Sequence, residues 1–509
     1  MTAPTTAAAP RPAEGFDVSG RSVYMIGIGG CGMAGLARML KARGARVSGS
    51  DGAASETTAL LGAEGIAVGV DETAAALPAR CDLLVASAAI RPDHPLLLEA
   101  QRRSVPTHSY AEALGRCMAG RSGVAVAGTH GKSTTTAMLG AALTDAGLDP
   151  TVIVGATCGQ LVGGCLAEKS GGAGAAGGFR LGSDTIPRGP LAGRPGLLVA
   201  EACEFNRSFH NYRPLVASIS SVEADHLDVY GTLDAVIESF HEFAGLVAPA
   251  EAGGRLLIAH DGASRLKVTA GVAARVETIG FSPEADWVVS FDPPPRRVQV
   301  RSGGGGGETV AQWPMVVPGA HNAMNAATAC TLAVMVGAEP GVVARSLAAF
   351  RGVDRRMQFL GARDAGGGSV RVFDDYGHHP TEVAATLRAL RDFERPQDRG
   401  GRLICVFQPH QHSRTRHLME EFATAFSDAD VVIVPQIYFV RDSQEERHRV
   451  TAADLVDRLR QRGTNAMHLH PFEAIVEQLG TLCRGGDAVV VMGAGPVWQV
   501  GRAYLARKA

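Results

Sequence analysis

The chain has 509 residues, of which 46% are hydrophobic and 20% charged, enough apolar material to build the cores of about two to four globular domains. Its 49 basic and 51 acidic residues nearly cancel to a net charge of −2, which excludes the basic footprint of a nucleic-acid partner. No apolar run approaches the roughly 18 residues a membrane span requires, and nine cysteines without a CxxC pair suit reduced thiols and a cytoplasmic protein.

Residues 1–15 carry neither an apolar core nor a basic start, so they read as a disordered tail and not a signal peptide. A first domain, 16–120, opens with an apolar strand from Val23, the glycines Gly27, Gly29, Gly30 and Gly32, an Ala- and Leu-rich helix, and a second strand ending in Asp51. This is a GxGxxG fingerprint followed by an acid at the distance expected of a ribose contact. Two readings fit it, an NAD-type site or a Rossmann-like pocket for another diphosphate such as a nucleotide sugar, and residue chemistry alone favours the first. A further strand is expected from Leu84 to Ile90, with Pro92 and Pro95 marking a turn.

The central domain, 121–352, begins with the apolar run Gly123 to Ala127 and passes into Gly128, Thr129, His130, Gly131, Lys132, Ser133 and Thr134 before an Ala-rich helix. Strand, glycine turn and helix make a phosphate cradle: glycines let the backbone approach an anion, the helix start offers unpaired N–H groups, Lys132 adds charge, and Ser133 is placed to hold Mg²⁺. The general Walker spacing puts a glycine at 126, where this chain has valine. The interval Gly155 to Gly196, with its glycine tract at 169–178, is expected to be a surface loop unable to pack a core. Two apolar strands then end in polar clusters, one in Glu201 and Glu204, the other in Glu223, Asp225 and His226. Acids at strand C-termini of an open α/β sheet face the ligand crevice, so Glu201 and His226 are candidate ligands of a second Mg²⁺ beside one at Ser133.

Asp292 to Pro295 and Gly303 to Gly307 read as hairpin loops. Asn322 and Asn325 share a helical face after His321, which fits either contact with a purine edge or ordinary capping. Arg356 lies at the junction to the third domain, 353–509, where a guanidinium can chelate phosphate. That domain opens with a strand running into Asp375, Tyr376, His378 and His379 and a helix near Pro380, continues through a strand before His410, Gln411 and Arg414, and closes on a strand ending near Gly495. Adjacent His378 and His379 are poorly spaced to share one transition metal.

The blocks from Val23 to Gly495 resemble, in order, those of the Mur ligases, the amide-forming enzymes of peptidoglycan precursor synthesis, and most closely the branch that adds L-alanine to UDP-N-acetylmuramate. The resemblance implies an α/β fold of three domains: a Rossmann-like N-terminal domain, a central P-loop ATPase-like parallel-sheet domain, and a C-terminal Rossmann-like α/β domain. It moves the first fingerprint from NAD to UDP, with Gly29, Gly30, Gly32 and Asp51 as substrate contacts. It assigns ATP to the loop 128–134 with His321, Asn322, Asn325, Arg356 and Asp375, and Mg²⁺ to Ser133, Glu201 and His226. Tyr376 becomes a substrate contact, Arg414 the partner of the amino-acid carboxylate, and Lys132, Glu201, His226 and His378 the catalytic group, with His378 or His379 assisting deprotonation of the amine. The implied partners are UDP-N-acetylmuramate and L-alanine, for a monomer or homodimer that binds neither nucleic acid nor membrane.

The chain departs from the family pattern at Cys203 and Asn206, where the family has aspartates, and at Gln411 and His412, which replace an Arg-Tyr pair. His241 stands where many sister ligases carry a carbamylated lysine, so no carbamate is expected. Other readings are a murein tripeptide ligase, a folylpolyglutamate synthase-like enzyme, and a non-catalytic nucleotide or UDP-sugar binder.

Overall fold

The computed structural model describes residues 16–166, 177–292, 296–440 and 442–507. The expected tail 1–15, most of the glycine tract, and prolines 293–295 therefore lie outside the described residues.

Three sheets carry the chain. In the first, β1 (Ser22–Ile26), β2 (Arg46–Ser50), β3 (Ala67–Gly69), β4 (Leu83–Ala86) and β5 (Thr107–Ser109) run parallel in the order β3-β2-β1-β4-β5. β4 stops at Ala86, short of the expected Ile90, because Ile90 N turns back to the Ser87 carbonyl. Pro95 opens a helix, Pro95–Arg102, as its fixed φ suits a first helical position.

The second sheet comprises β6 (Ser122–Ala127), β7 (Thr151–Ile153), β8 (Phe179–Arg180), β9 (Leu197–Glu201), β10 (Val216–Ile219), β11 (Arg255–Ala259), β12 (Arg275–Gly280), β13 (Trp287–Asp292), β14 (Arg297–Ser302) and β15 (Glu308–Pro314), in the order β15-β14-β13-β12-β11-β10-β6-β9-β7-β8. The expected glycine loop is corrected here. Phe179 and Arg180 pair with β7, the Arg180 guanidinium donates to the Pro150 carbonyl, and Ile186 is fully buried, so the segment after the glycine tract packs against the sheet. Gly303 to Gly307 forms the turn of the antiparallel β14–β15 pair, as expected.

The third sheet is β16 (Gln358–Asp364), β17 (Ser369–Asp375), β18 (Leu403–Phe407), β19 (Val431–Val434), β20 (Ala466–His468) and β21 (Ala488–Met492), in the order β16-β17-β21-β18-β19-β20 and parallel except for β16–β17.

Topology places the chemistry. β6, which feeds the phosphate loop, lies between β9, which ends at Glu201, and β10, which leads to Glu223 and His226. Both polar clusters therefore open beside the same loop, at the carboxyl edge where connections diverge and ligands lodge. The third sheet repeats the device: β21 lies between β17, leading to Tyr376 and His378, and β18, leading to His410 and Arg414. Behind the phosphate loop, the helix Lys132–Asp145 is buried from Ser133 through Leu143 and fixes the loop as a rigid part of the core.

Candidate active site

The phosphate loop is shaped by two glycines with positive φ, Gly128 at 126° and Gly131 at 81°. A Cβ at Gly131 would stand 2.3 Å from Asn325 Oδ1, and one at Gly128 would stand 2.1 Å from Ser220 Oγ. Gly131→Ala thus combines left-handed strain with displacement of Asn325, and we expect it to weaken ADP binding by at least about tenfold in a calorimetric titration. Unchanged affinity would show that the loop tolerates the side chain.

Lys132 Nζ folds back onto its own loop, donating to the Gly128 carbonyl at 2.6 Å and the Thr129 carbonyl at 3.0 Å, and pairs with Glu204 at 2.9 Å. Burial works to lower its pKa, but Glu204 more than offsets that and holds the ammonium above the ordinary lysine value. Ser133 Oγ donates to Glu201 Oε1 at 3.0 Å, while the Gly155 amide donates to Glu201 Oε2 at 2.8 Å. Thr129 Oγ1 accepts from the Glu223 amide at 2.9 Å, tying the loop to the end of β10.

Glu201 is therefore grouped with Ser133, whereas His226 gathers with Glu204 and Asp225, their ligand atoms within 4.8 Å of one another. His226 sits at φ 54°, a left-handed turn that closes this cluster. Burial lowers its pKa, keeping the imidazole neutral and its lone pair open to a cation. Cys203, where the family pattern has aspartate, lines the same space with a thiol pushed up to about 12 by burial, so it stays protonated and contributes no charge.

From the third domain, Tyr376 presents its ring to Arg355 and Arg356, with guanidinium carbons 4.9 and 5.1 Å from its centroid. Asp375 accepts from the Met357 amide at 2.8 Å and the Gly377 amide at 2.7 Å, and burial pushes its pKa up to about 6. His378 Nδ1 lies 3.1 Å from the Tyr376 carbonyl, and burial lowers its pKa to about 4. His379 caps a helix: its Nδ1 accepts from the Thr381 amide at 3.3 Å, at the start of the helix Pro380–Glu394. Capping is not the role of Asn322 and Asn325, since Gly319 caps their helix; Asn325 Nδ2 donates to Asn322 Oδ1 at 3.3 Å instead.

Arg414 is not held open for a ligand. Its Nε and Nη2 donate to Asp225 Oδ1 at 3.1 and 2.8 Å, locking the third domain to the central one, with both side chains 7% exposed. Burial alone would raise the Asp225 pKa, but Arg414 overrides it and holds the carboxyl well below the usual range.

A second lock crosses the same boundary. His130 lies between Glu223 and Glu382, each 3.3 Å from one ring nitrogen, and Thr381 Oγ1 donates to Glu223 at 2.7 Å. Burial would lower the His130 pKa, yet hydrogen bonds to Glu223 and Glu382 raise it to about 9, above the ordinary 6.5. Because the folded value is the higher one, this stabilisation is complete below about pH 6.5 and is lost as pH rises through about 9. We expect the melting-temperature gap between the wild type and His130→Asn to close across that interval; a gap constant from pH 6 to 10 would contradict the charge assignment.

Sequence reading placed Glu223 and Asp225 in the polar cluster after β10 but gave neither a partner, and it gave Glu382 no role; the only signal was position beside a strand end or helix start. Around these groups lies a cavity of about 460 Å³ lined by Lys132, Ser133, Glu201, Glu204, Asp225, His226, Arg356, Tyr376, His378 and Arg414, with Cys31 reaching in from the first domain. A neighbouring cavity of about 240 Å³ holds His130, Thr134, His321, Asn322, Asn325, Met357 and Asp375. The two share Gly131, Ser133, Arg356 and Glu382, so the phosphate loop sits at their junction. Gly29, Gly30, Gly32 and Asp51 do not line either cavity. The Gly29 amide donates to Asp51 Oδ2 at 2.8 Å, and a Cβ on Gly32 would stand 2.8 Å from the Tyr110 hydroxyl, so these residues shape the turn that carries Cys31.

Family models match in chain order: Mur ligase family, catalytic domain, over residues 22–122; Mur ligase middle domain over 126–333; and Mur ligase, glutamate ligase domain, over 355–495. Among curated proteins, the chain is 41% identical over 511 residues to a UDP-N-acetylmuramate–L-alanine ligase of Kineococcus radiotolerans, covering 99% of each chain. It is 40% identical to the ligase of the same name from Paenarthrobacter aurescens, covering 96% of this chain and 97% of that one. In fold, it is similar to the UDP-N-acetylmuramate-alanine ligase of Thermotoga maritima, with a TM-score of 0.72, 23% identity, and coverage of 96% and 98%. It is also similar to a murein peptide ligase of Psychrobacter arcticus, with a TM-score of 0.70, 24% identity, and coverage of 96% and 98%.

Proposed function

The chain belongs to the Mur ligase family, and from that premise we propose that it is the ATP-dependent ligase joining the lactyl carboxylate of UDP-N-acetylmuramate to the amine of L-alanine in peptidoglycan precursor synthesis. The observation that carries this reading is a phosphate loop at the junction of two cavities, the larger of them lined by the carboxylates Glu201, Glu204 and Asp225 of the central domain together with Tyr376, His378 and Arg414 of the third.

ATP fits with its adenosine in the smaller cavity beside His321, Asn322, Asn325 and Asp375, and its phosphates on the loop Gly128 to Thr134, with Arg356 at the junction. The donor set suits a hard divalent cation: the Ser133 hydroxyl with Glu201, and the Glu204, Asp225 and His226 cluster. Bound there, Mg²⁺ supplies charge neutralisation to the phosphate oxygens. Lys132 is a fixed cation at the loop, so the protein contributes positioning and electrostatics and needs no covalent nucleophile.

In the reaction, a lactyl carboxylate oxygen attacks the γ-phosphorus and the bond to the β-phosphate oxygen breaks, releasing ADP and leaving an acyl phosphate. The neutral amine of L-alanine then attacks the acyl carbon, and phosphate departs with the oxygen it received, carrying off the proton that the attacking nitrogen sheds. His378, kept neutral by its low pKa, accepts a hydrogen bond from the amine and orients it; at about 4 it is too weak a base for the proton-abstracting role expected of an imidazole titrating near neutrality. The ion pairs between Asp225 and Arg414 and between His130 and Glu382 hold the third domain shut, excluding water from the acyl phosphate.

We place the reaction in the cytoplasm, in keeping with nine free cysteines and with the lack, among the described residues, of any helix long and apolar enough to cross a membrane. Phosphate release with Mg-ATP and UDP-N-acetylmuramate tests the reading, comparing L-alanine, glycine, L-serine and a murein tripeptide as acceptors. We expect release that depends on L-alanine. Release with the tripeptide alone would move the protein to the recycling reaction, and none with any acceptor would leave a nucleotide or UDP-sugar binder.

A further inference from the structure

The turn that carries Glu204 is held under strain. Asn206 and Arg207, neither of them glycine, sit side by side in the left-handed region at φ 51° and 52°. That backbone is costly for a residue with a Cβ, so it persists only where its surroundings hold it. The turn also makes two contacts with the proposed cation cluster. The Glu204 carboxylate is a member of it, and the Phe205 ring packs edge-on against the His226 imidazole, with centroids 5.0 Å apart at 62°.

Tyr230 ties this turn down. Its hydroxyl donates to the Glu204 carbonyl, which also accepts from the Arg207 amide at 2.9 Å, and the Arg207 guanidinium carbon lies 5.8 Å from the centroid of its ring. Tyr230 is also the last residue of the short helix Leu227–Tyr230 that His226 opens, and its amide donates back to the His226 carbonyl at 3.0 Å. One residue thereby joins the segment bearing Glu204 to the segment bearing His226.

The tie is braced from behind. A carbonyl only accepts, so the Tyr230 proton goes to Glu204, and the Ser239 hydroxyl, 3.2 Å away, is left to donate to the phenol oxygen. His210 Nε2 donates to the Ser239 carbonyl at 2.8 Å and lies 3.2 Å from the same hydroxyl. Tyr230, Ser239 and His210 line neither cavity, so this network acts on the site through the Glu204 turn.

We infer that Tyr230, braced by Ser239, is a positioning residue: it holds the strained turn so that Glu204 stands beside Asp225 and His226 where the three can share one divalent cation. This rests on the proposed ligase reading and its two cation positions. Groups that orient metal ligands from outside the coordination sphere change metal affinity by about 10–100-fold when lost.

Titration of the full-length protein with Mn²⁺ in a saturating nonhydrolysable ATP analogue tests it, the free ion being read by electron paramagnetic resonance and the wild type measured first. Fewer than two bound Mn²⁺ per wild-type chain would defeat the two-cation reading itself, whatever the variants do. Given two, Tyr230→Phe keeps the ring and removes the tie, and we expect one site to weaken by at least about tenfold while the other stays within about twofold. Glycine adopts left-handed φ freely, so adding Arg207→Gly relaxes the turn and should return the weakened site to within about threefold of the wild type, a recovery that general loosening of the fold would not give. Ser239→Ala leaves the Glu204 contact but removes the brace, and should weaken the same site about threefold. Thermal melting accompanies all three, and Ser239→Ala is decisive if Tyr230→Phe melts early. Two unchanged sites in a folded variant, equal weakening of both, or no recovery in the double variant would overturn the inference.

Discussion

Lys132→Ala is expected to lower kcat for phosphate release by about three orders of magnitude, the scale lost when a fixed charge is removed from a phosphoryl-transfer site. The structure adds a second consequence. Lys132 is the ion-pair partner of Glu204, whose side chain is 3% exposed, and Glu204 Oε2 has no hydrogen bond to take its place. Removing one member of a buried pair strands the other and typically costs about 3–5 kcal/mol. Lys132→Ala should therefore melt earlier as well as turn over slowly, and a Lys132→Ala, Glu204→Gln double variant should recover stability without recovering rate. If the double variant recovered both, Lys132 would be a structural cation and the phosphates would be held elsewhere.

The other large effect is expected at Arg414→Ala. The pair it forms with Asp225 joins segments 189 residues apart across the domain boundary, both side chains buried. An unpaired Asp225 carboxylate would then lie between domains, again at a cost of about 3–5 kcal/mol, assigned here to domain docking more than to folding of either domain. The expected signature is a larger radius of gyration in solution scattering, loss of alanine-dependent turnover, and a strong coupling energy in a double-mutant cycle with Asp225→Asn. A cycle giving additive effects would mean that the ion pair does not hold the domains together. The lock should be insensitive to mild acid: the folded Asp225 pKa is depressed, so its contribution is complete above about 3.8 and fades only as pH falls below that.

Much of the architecture was legible because each chemical cluster follows an apolar strand. Phosphate loop, Glu201 and His226 could be placed on one edge from local pattern alone, and the sheet order β10-β6-β9 supplies the reason. Short strands were not legible: β5 and β8 have three and two residues, below the length at which alternation is informative. The roles of paired residues were hidden for a different reason. Asp225 and Arg414, or His130 and Glu382, are distant in sequence, and no spacing rule reports a partner that the tertiary fold supplies. The capping contact of His379 was hidden because histidine is an unusual cap, its Nδ1 standing in for the carboxylate or hydroxyl oxygen normally found there. The distance of Asp51 from the glycine turn suits a ribose contact, and the structure adds that Oδ2 also accepts from the Gly29 amide, a contact that spacing alone did not report.

The account stands on amide formation through an acyl phosphate, and isotope transfer tests that directly. UDP-N-acetylmuramate carrying ¹⁸O in both lactyl carboxylate oxygens is turned over with Mg-ATP and L-alanine, and the released phosphate is analysed by mass. One ¹⁸O atom per phosphate is the predicted result, since the attacking carboxylate oxygen leaves with the phosphoryl group. Unlabelled phosphate formed at the same rate as amide product would contradict the mechanism, because ATP would then be split by water and not by the sugar's carboxylate.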